Sequence, residues 1–75
     1  GNTMNQVKIT VQRGENFTAA SLMKRYANQT GAEFRRGFWG AAELVIDGIT
    51  YHYHHWSVTA ENGAETITLF LEEVL

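Results

Sequence analysis

The chain has 75 residues, of which 44% are apolar and 19% are charged, and this composition is typical of one small globular domain rather than a disordered chain. It contains no cysteine, which excludes disulfides and thiolate metal sites, and it contains no apolar run long enough to span a bilayer. The formal net charge is −2, but all six Lys and Arg lie in residues 1–40, whereas residues 41–75 carry six acids and no Lys or Arg. This asymmetry is compatible with a basic surface for a partner, and the lack of cysteine and of a signal-peptide pattern predicts a cytoplasmic protein without a membrane partner.

The first half of the chain predicts a strand followed by a helix. Residues 7–11 alternate apolar and polar side chains, which is the period of a half-buried strand. Residues 18–30 switch to helical spacing, with Thr18 as the expected N-cap and Gly31 as the residue that ends the helix. We leave residues 1–3 out of the fold prediction because they precede the first methionine and resemble a remnant of expression cloning.

Two hairpins are predicted in the second half of the chain. Asp47-Gly48 and Asn62-Gly63 each separate two apolar runs, and both pairs suit a two-residue turn whose central residues need positive φ. Counting outward from the turns predicts the pairs Ile46–Ile49, Val45–Thr50, Leu44–Tyr51, Glu43–His52 and Ala42–Tyr53 in the first hairpin, and Val58–Ile67, Trp56–Leu69 and His54–Leu71 in the second. Residues 32–42 have no clear period, and we interpret them as a loop or a bent entry to the first hairpin.

The long strand shared by the two hairpins changes phase. Its core-facing positions are odd-numbered up to Tyr53 and even-numbered from Trp56 onward, and an alternating strand needs one extra residue to do this. We therefore expect a β-bulge near His54-His55, with both imidazoles near the surface. If the strand were regular instead, one of its two apolar sets would face solvent and form a candidate interaction surface.

Together these elements predict an α+β fold for a single domain spanning residues 1–75. The architecture is a two-layer sandwich of order β-α-β-β-β, in which one helix packs on a mostly antiparallel sheet with a C-terminal three-strand meander. The sheet face away from the helix is expected to be polar and rich in hydroxyl groups. Its predicted members are Val45, Thr50, His52, Ser57, Thr59, Thr66, Thr68 and Phe70.

Two histidines and a carboxylate are the candidates for metal binding or catalysis. His52 and His54 share a strand face by their spacing, and the predicted register puts Glu43 opposite His52. The spacing matches no recognised metal motif, and a cross-strand Glu–His pair is ordinary on a surface, so we predict no metal and no cofactor. Ser21 and Ser57 lack the strand-turn-helix setting of a catalytic nucleophile, and we predict that the protein is not an enzyme.

The segment EFRRGFWG, residues 33–40, is the predicted binding site. It combines two arginines, three aromatic rings and two glycines in eight positions. We predict a small non-enzymatic protein-interaction module whose aromatic rings anchor in a partner protein while its arginines steer toward an acidic surface. The residues assigned to this site are Arg35, Arg36, Phe38 and Trp39, with Lys24 and Arg25 on the helix exterior in support.

Two other interpretations of this segment stay open at the level of sequence. Arginine interleaved with aromatic rings also suits single-stranded nucleic acid, because bases stack on rings and guanidinium groups bind phosphate. The acidic overall charge counts against a dedicated nucleic-acid binder. In the other interpretation Phe34, Phe38 and Trp39 fold inward to complete a small core, and the arginines are simply solvated.

The C-terminal residues favour self-association. Val74 and Leu75 are apolar although they follow two glutamates, so the last strand either packs to its end or docks on a second copy. A domain of this size often gains stability from a partner subunit, and an exposed edge strand offers a surface for pairing. We therefore predict a homo-oligomer, with a homodimer as the expected form.

Overall fold

The computed structural model describes residues 4–74, with the backbone alone described at Met4, and it contains one antiparallel sheet with a helix packed on one face. The elements are β1 (Met4–Gln12), α1 (Ala19–Thr30), β2 (Glu33–Arg36), a 3-10 turn (Phe38–Gly40), β3 (Ala42–Ile46), β4 (Ile49–Glu61) and β5 (Ala64–Glu73). The five strands lie in the order β1-β5-β4-β3-β2, and the sheet is curled. The predictions made for residues 1–3 and for Leu75 lie outside the described residues.

The predicted α+β architecture is confirmed, with one strand more than the sequence pattern indicated. Residues 33–36, which we interpreted as part of a loop or of a bent entry to the first hairpin, form strand β2 and pair antiparallel with β3 from Glu33–Val45 to Arg36–Ala42. Of the four side chains in β2 only that of Phe34 turns toward the core. A strand with a single inward side chain has no alternation to detect, which is why the pattern did not reveal it.

Helix α1 begins and ends where its capping residues predict. The Thr18 hydroxyl accepts a hydrogen bond from the Ser21 amide, and the Ser21 hydroxyl accepts one from the Thr18 amide, so the two residues form a capping box. Gly31 ends the helix with a φ of 83°, a left-handed conformation that glycine adopts without a steric penalty. No helix in residues 4–74 combines the length and the apolar character that crossing a bilayer would require.

Both predicted hairpin turns are confirmed. Asp47 and Gly48 have φ values of 52° and 81°, and Asn62 and Gly63 have values of 50° and 79°, so both central positions of each turn are left-handed. The predicted first-hairpin pairs hold from Ile46–Ile49 to Glu43–His52. The last predicted pair of that hairpin, Ala42–Tyr53, is not part of the ladder, which ends at Glu43–His52.

The predicted bulge is also confirmed, and it lies between Tyr53 and His55. The second-hairpin pairs Val58–Ile67 and Trp56–Leu69 occur as predicted. The pairing of His54 with Leu71 is wrong, because Leu71 pairs with Tyr53 and the next pair is His55–Phe70. His54 is therefore the extra residue of the bulge. Counted back from the Asn62-Gly63 turn, the regular pairing ends at His55–Phe70, one pair sooner than we predicted.

The core lies between α1 and the sheet face that α1 covers. Its buried side chains are Val7, Ile9, Val11, Leu22, Met23, Ala27, Leu44, Tyr51, Ile67, Leu69 and Leu71. Trp56 and Val58 lie on the predicted apolar face but stay 43% and 42% exposed. A helix of 12 residues spans about 18 Å, whereas the 13-residue strand β4 is roughly twice as long, so the helix cannot cover the whole strand.

Candidate functional site

The loop between β2 and β3, residues 37–41, carries the most exposed aromatic side chains of the described residues. Phe38 is 82% exposed and Trp39 is 94% exposed, and their rings meet edge to face with centroids 5.6 Å apart. The loop is closed by hydrogen bonds from the Gly37 amide to the Ala41 carbonyl at 2.7 Å and from the Gly40 amide to the Gly37 carbonyl at 3.1 Å. Two large rings are therefore presented to solvent on a hydrogen-bonded turn.

Arg36 of β2 stabilises this loop through a hydrogen bond. Its guanidinium group donates a hydrogen bond to the Gly40 carbonyl at 3.1 Å and lies 5.5 Å from the centre of the Phe34 ring. Phe34 itself packs against the core. The interpretation in which three aromatic side chains fold inward is therefore correct for Phe34 and wrong for Phe38 and Trp39.

Arg35 lies on the opposite face of β2 and contacts a buried carboxylate. Its Nε is 3.1 Å from Oε1 of Glu43, and its second guanidinium nitrogen donates to the Thr50 hydroxyl at 3.1 Å. Glu43 is buried and lies so close to the loop that a Cβ added at Gly37 would be 2.2 Å from its Oε2. The Arg35–Glu43 ion pair links β2 to β3 beside the loop. It could be predicted from the sequence only if β2 were already known to pair with β3.

Arg25 does not add a free positive charge beside the loop. Lys24 is an exposed residue of α1, whereas Arg25 donates to the Thr10 carbonyl of β1 at 3.3 Å and forms an ion pair with Glu15. Strands β1 and β2 are the two outer strands of the sheet, so Arg25 and Arg35 contact opposite ends of the strand order. The hydrogen bond from Arg25 holds the pKa of Glu15 below its ordinary value, and a hydrogen bond from the Gln12 amide adds to the effect.

The three histidines gather on the sheet face away from α1. His52 and His54 place Nε2 at 3.5 Å and 3.8 Å from the two carboxylate oxygens of Glu72. His55 stacks on Phe70 with ring centroids 4.3 Å apart and planes 5° from parallel. The Nδ1 atoms of His54 and His55 are 2.6 Å apart, because the two residues of a bulge stand opposite one residue of the neighbouring strand.

The carboxylate predicted to join the histidines is not the one that does so. Glu43 pairs in register with His52, but its side chain is bound to Arg35, and Glu72 of β5 approaches the imidazoles instead. Within residues 4–74 no group of three histidine, aspartate or glutamate side chains is placed to hold a metal ion. A cleft of about 230 Å³ lies at the C-terminal end of α1, and none of the three histidines lines it.

The arrangement therefore offers two exposed surfaces of different chemistry. One is the aromatic loop at residues 37–41, and the other is the half-exposed row of imidazoles on the sheet face away from α1. No protein-family model, no curated protein and no solved structure matches this chain. A function must therefore be argued from the geometry of these surfaces.

Proposed function

We propose that this chain is a non-enzymatic protein-interaction module that binds a partner protein through Phe38 and Trp39 and also self-associates. The observation that carries the proposal is the 94% exposure of Trp39 on a turn closed by its own backbone hydrogen bonds. Tryptophan and arginine are enriched among the residues that contribute most of the binding energy at protein interfaces, and tryptophan buries a large area with only two χ angles. A turn that is already ordered loses little further entropy when a partner covers its rings.

The arginines of the predicted site take different parts in this proposal. Arg36 holds the loop through the Gly40 carbonyl and adds a positive charge beside the rings. Arg35 keeps 49% of its side chain exposed, but its charge faces Glu43. Arg25 is already paired with Glu15, so Lys24 is the helix residue that is left to steer an acidic partner toward the module.

Single-stranded nucleic acid is the competing ligand for the same rings, because exposed indole and phenyl rings also stack on bases. Binding to phosphate depends on basic charge, and the carboxylates of Glu43 and Glu15 face two of the six basic side chains. We therefore place a protein surface first and treat binding to nucleic acid as an outcome of the test.

The test compares the wild type with a variant that carries Phe38→Ser and Trp39→Ser. Immobilised wild type is expected to retain a defined protein from its source cells, and the double variant is expected to lose it while its thermal unfolding stays unchanged. Asn28→Ser is the matched control, because it alters an exposed polar residue of α1 and should retain the same protein.

Fluorescence anisotropy with labelled single-stranded and double-stranded oligonucleotides separates the two ligands. Submicromolar binding that weakens steeply with salt, and that the double variant loses, would replace the protein partner by nucleic acid. A retained protein that survives both serine substitutions would contradict the assignment of the loop.

A further inference from the structure

The second half of β4 runs beyond the strand that flanks its first half. We call residues 54–61 distal β4. The ladder between β3 and β4 ends at Glu43–His52, whereas the ladder between β4 and β5 continues to Glu61–Ala64. Within the part of the chain that the structure describes, no strand pairs with the other side of distal β4.

The backbone of distal β4 has its free hydrogen-bonding groups on this open side. The two-residue turn at Asn62-Gly63 closes on the hydrogen-bonded pair Glu61–Ala64, and hydrogen-bonded pairs then recur at every second residue of an antiparallel ladder. The N–H and C=O groups of Trp56, Val58 and Ala60 therefore point away from β5. None of the hydrogen bonds found within residues 4–74 reaches these groups from a side chain or from a neighbouring loop.

The side chains of residues 54–60 do not protect the open side of distal β4 from pairing with another strand. Residues 54–60 contain no Lys, Arg, Asp, Glu or Pro, which are the residues that commonly guard an exposed strand edge. Trp56 and Val58 are both more than two fifths exposed, although Trp56 contacts the Phe17 ring at 5.4 Å. Residues 54–60 thus combine unpaired backbone groups with partly exposed apolar side chains and contain no Lys, Arg, Asp or Glu.

We propose that distal β4 pairs with distal β4 of a second copy of this chain, antiparallel about a two-fold axis at Val58, so that one sheet continues through both copies. This names the partner surface for the self-association in the proposed function and rests on that part of it. A second copy is the fitting occupant because a two-fold axis brings identical edges together antiparallel, and each edge then supplies both the donors and the acceptors that the other lacks.

The pairing register follows from the faces of the sheet and from the end of β3. Residues that stand opposite each other in a sheet share a face, so apolar Trp56 must meet another even-numbered residue. With Val58 on the axis, Trp56 stands opposite Ala60 of the second copy and His55 stands opposite Glu61. A register centred on Ser57 would place Asn62 of the second copy opposite His52, where Glu43 of β3 already stands.

The mass of the protein in solution tests the proposal. Sedimentation velocity of the wild type at about 100 µM, above the dissociation constants of many weak specific dimers, should give twice the mass of one chain. Val58→Lys should give a single-chain mass, because it places two like charges face to face on the axis. Val58→Thr, which stays uncharged and β-branched, and Gln12→Lys, which adds the same charge to β1, should both keep the double mass.

A covalent test does not depend on how well Val58→Lys folds. The natural chain has no cysteine, so the thiol of Val58→Cys can form a disulfide only with a second copy. Residues in a hydrogen-bonded antiparallel pair have Cα atoms about 5.5 Å apart, within the range that a disulfide spans. Mild oxidation should convert Val58→Cys to a covalent dimer on a non-reducing gel, whereas Gln12→Cys on β1 should stay a single chain.

Two results would overturn the proposal. One is a wild type that keeps the mass of one chain at about 100 µM, where a specific dimer of ordinary affinity would form. The other is a dimer that survives Val58→Lys and leaves Val58→Cys unlinked. Neither result bears on the capture of a partner protein by Phe38 and Trp39, so the failure of the edge and the failure of the aromatic loop can be told apart.

Discussion

Strands β1 and distal β4 flank β5 on either side, yet their side chains meet different surroundings. Ile9 and Val58 both stand opposite Ile67, and they are 1% and 42% exposed. Val7 and Trp56 both stand opposite Leu69, and they are 5% and 43% exposed. In both of these rows across the sheet, the three side chains are apolar and point to the same face. Helix α1 packs against that face at β1 and leaves the end of β4 partly uncovered. The face of a residue in a sheet therefore does not by itself determine its burial.

The outward-facing backbone groups of the two strands also differ, because those of β1 make more hydrogen bonds than those of distal β4. On β1 the Thr10 carbonyl accepts a hydrogen bond from Arg25 at 3.3 Å, and the Gln12 amide donates to Oε1 of Glu15 at 3.1 Å. The Gln6 amide donates to the side chain of Asn5 at 3.1 Å. Hydrogen bonds with side chains thus occupy backbone groups of β1 that a further strand would need. Within residues 4–74 no such hydrogen bond reaches the open side of distal β4. One edge is closed by the fold, and the other is left available.

The largest expected effect tests the difference in burial. Ile9→Ala should lower the free energy of unfolding by about 2–5 kcal/mol, because it leaves a cavity in a packed core. Val58→Ala should cost less than about 1 kcal/mol in dilute solution, because much of that side chain is already in contact with water. Urea unfolding of both variants, with the protein too dilute to associate, gives the comparison. Equal losses would show that the end of β4 is covered as fully as β1.

Proline substitutions test the direction of the backbone groups in distal β4. Thr59→Pro should lower the free energy of unfolding by about 3 kcal/mol, because it removes an amide that points toward β5. Val58→Pro should cost clearly less in the single chain and should abolish association, because the amide it removes points to the open edge. Chemical unfolding and sedimentation of the pair are the measurements. A larger loss for Val58→Pro would reverse the assigned pattern of hydrogen bonds.

Amide hydrogen exchange probes the same pattern without any substitution. In dilute protein the amides of Ser57 and Thr59 should be protected by β5, while those of Trp56 and Val58 exchange quickly. Raising the protein concentration should slow exchange at Trp56 and Val58, because a second copy then covers the open edge. NMR exchange rates at two concentrations are sufficient. Fast exchange of these two amides at high concentration would exclude an edge-to-edge dimer.

The smallest expected effect concerns the ion pair between Arg25 and Glu15 beside β1. Glu15→Gln should lower the stability slightly at neutral pH, because the neutral amide makes a weaker bond to Arg25. The pKa of Glu15 in the folded protein is below its ordinary value of 4.5, so the carboxylate stabilises the fold above that pH. This contribution is lost as the pH falls through the lowered pKa. The melting temperatures of wild type and variant should therefore differ at pH 7 and converge in acid, and a constant difference would contradict this.

Most of the fold could be predicted from local chemistry, and the candidate site only in part. Asp47-Gly48 and Asn62-Gly63 determine their turns and therefore the register on both sides of them, and the change of phase predicts the bulge. The position of Glu72 beside His52 could not be predicted, because the register of β5 with the residues before the bulge depends on which residue is the extra one. The binding of Glu43 by Arg35 depends on β2, a strand too short to leave a periodic signal.

The order of residues alone determined the capped helix, the two tight turns, the phase shift at the paired histidines and the apolar faces of β1, β3, β4 and β5, because each depends on neighbours within a few positions. Tertiary structure alone decided which apolar residues α1 covers, which carboxylate meets each cation and which strand edge stays open. Those outcomes depend on the length of α1 relative to β4 and on contacts between residues far apart in the chain, such as Arg25 with Thr10 and Arg35 with Thr50. A local pattern carries no information about either.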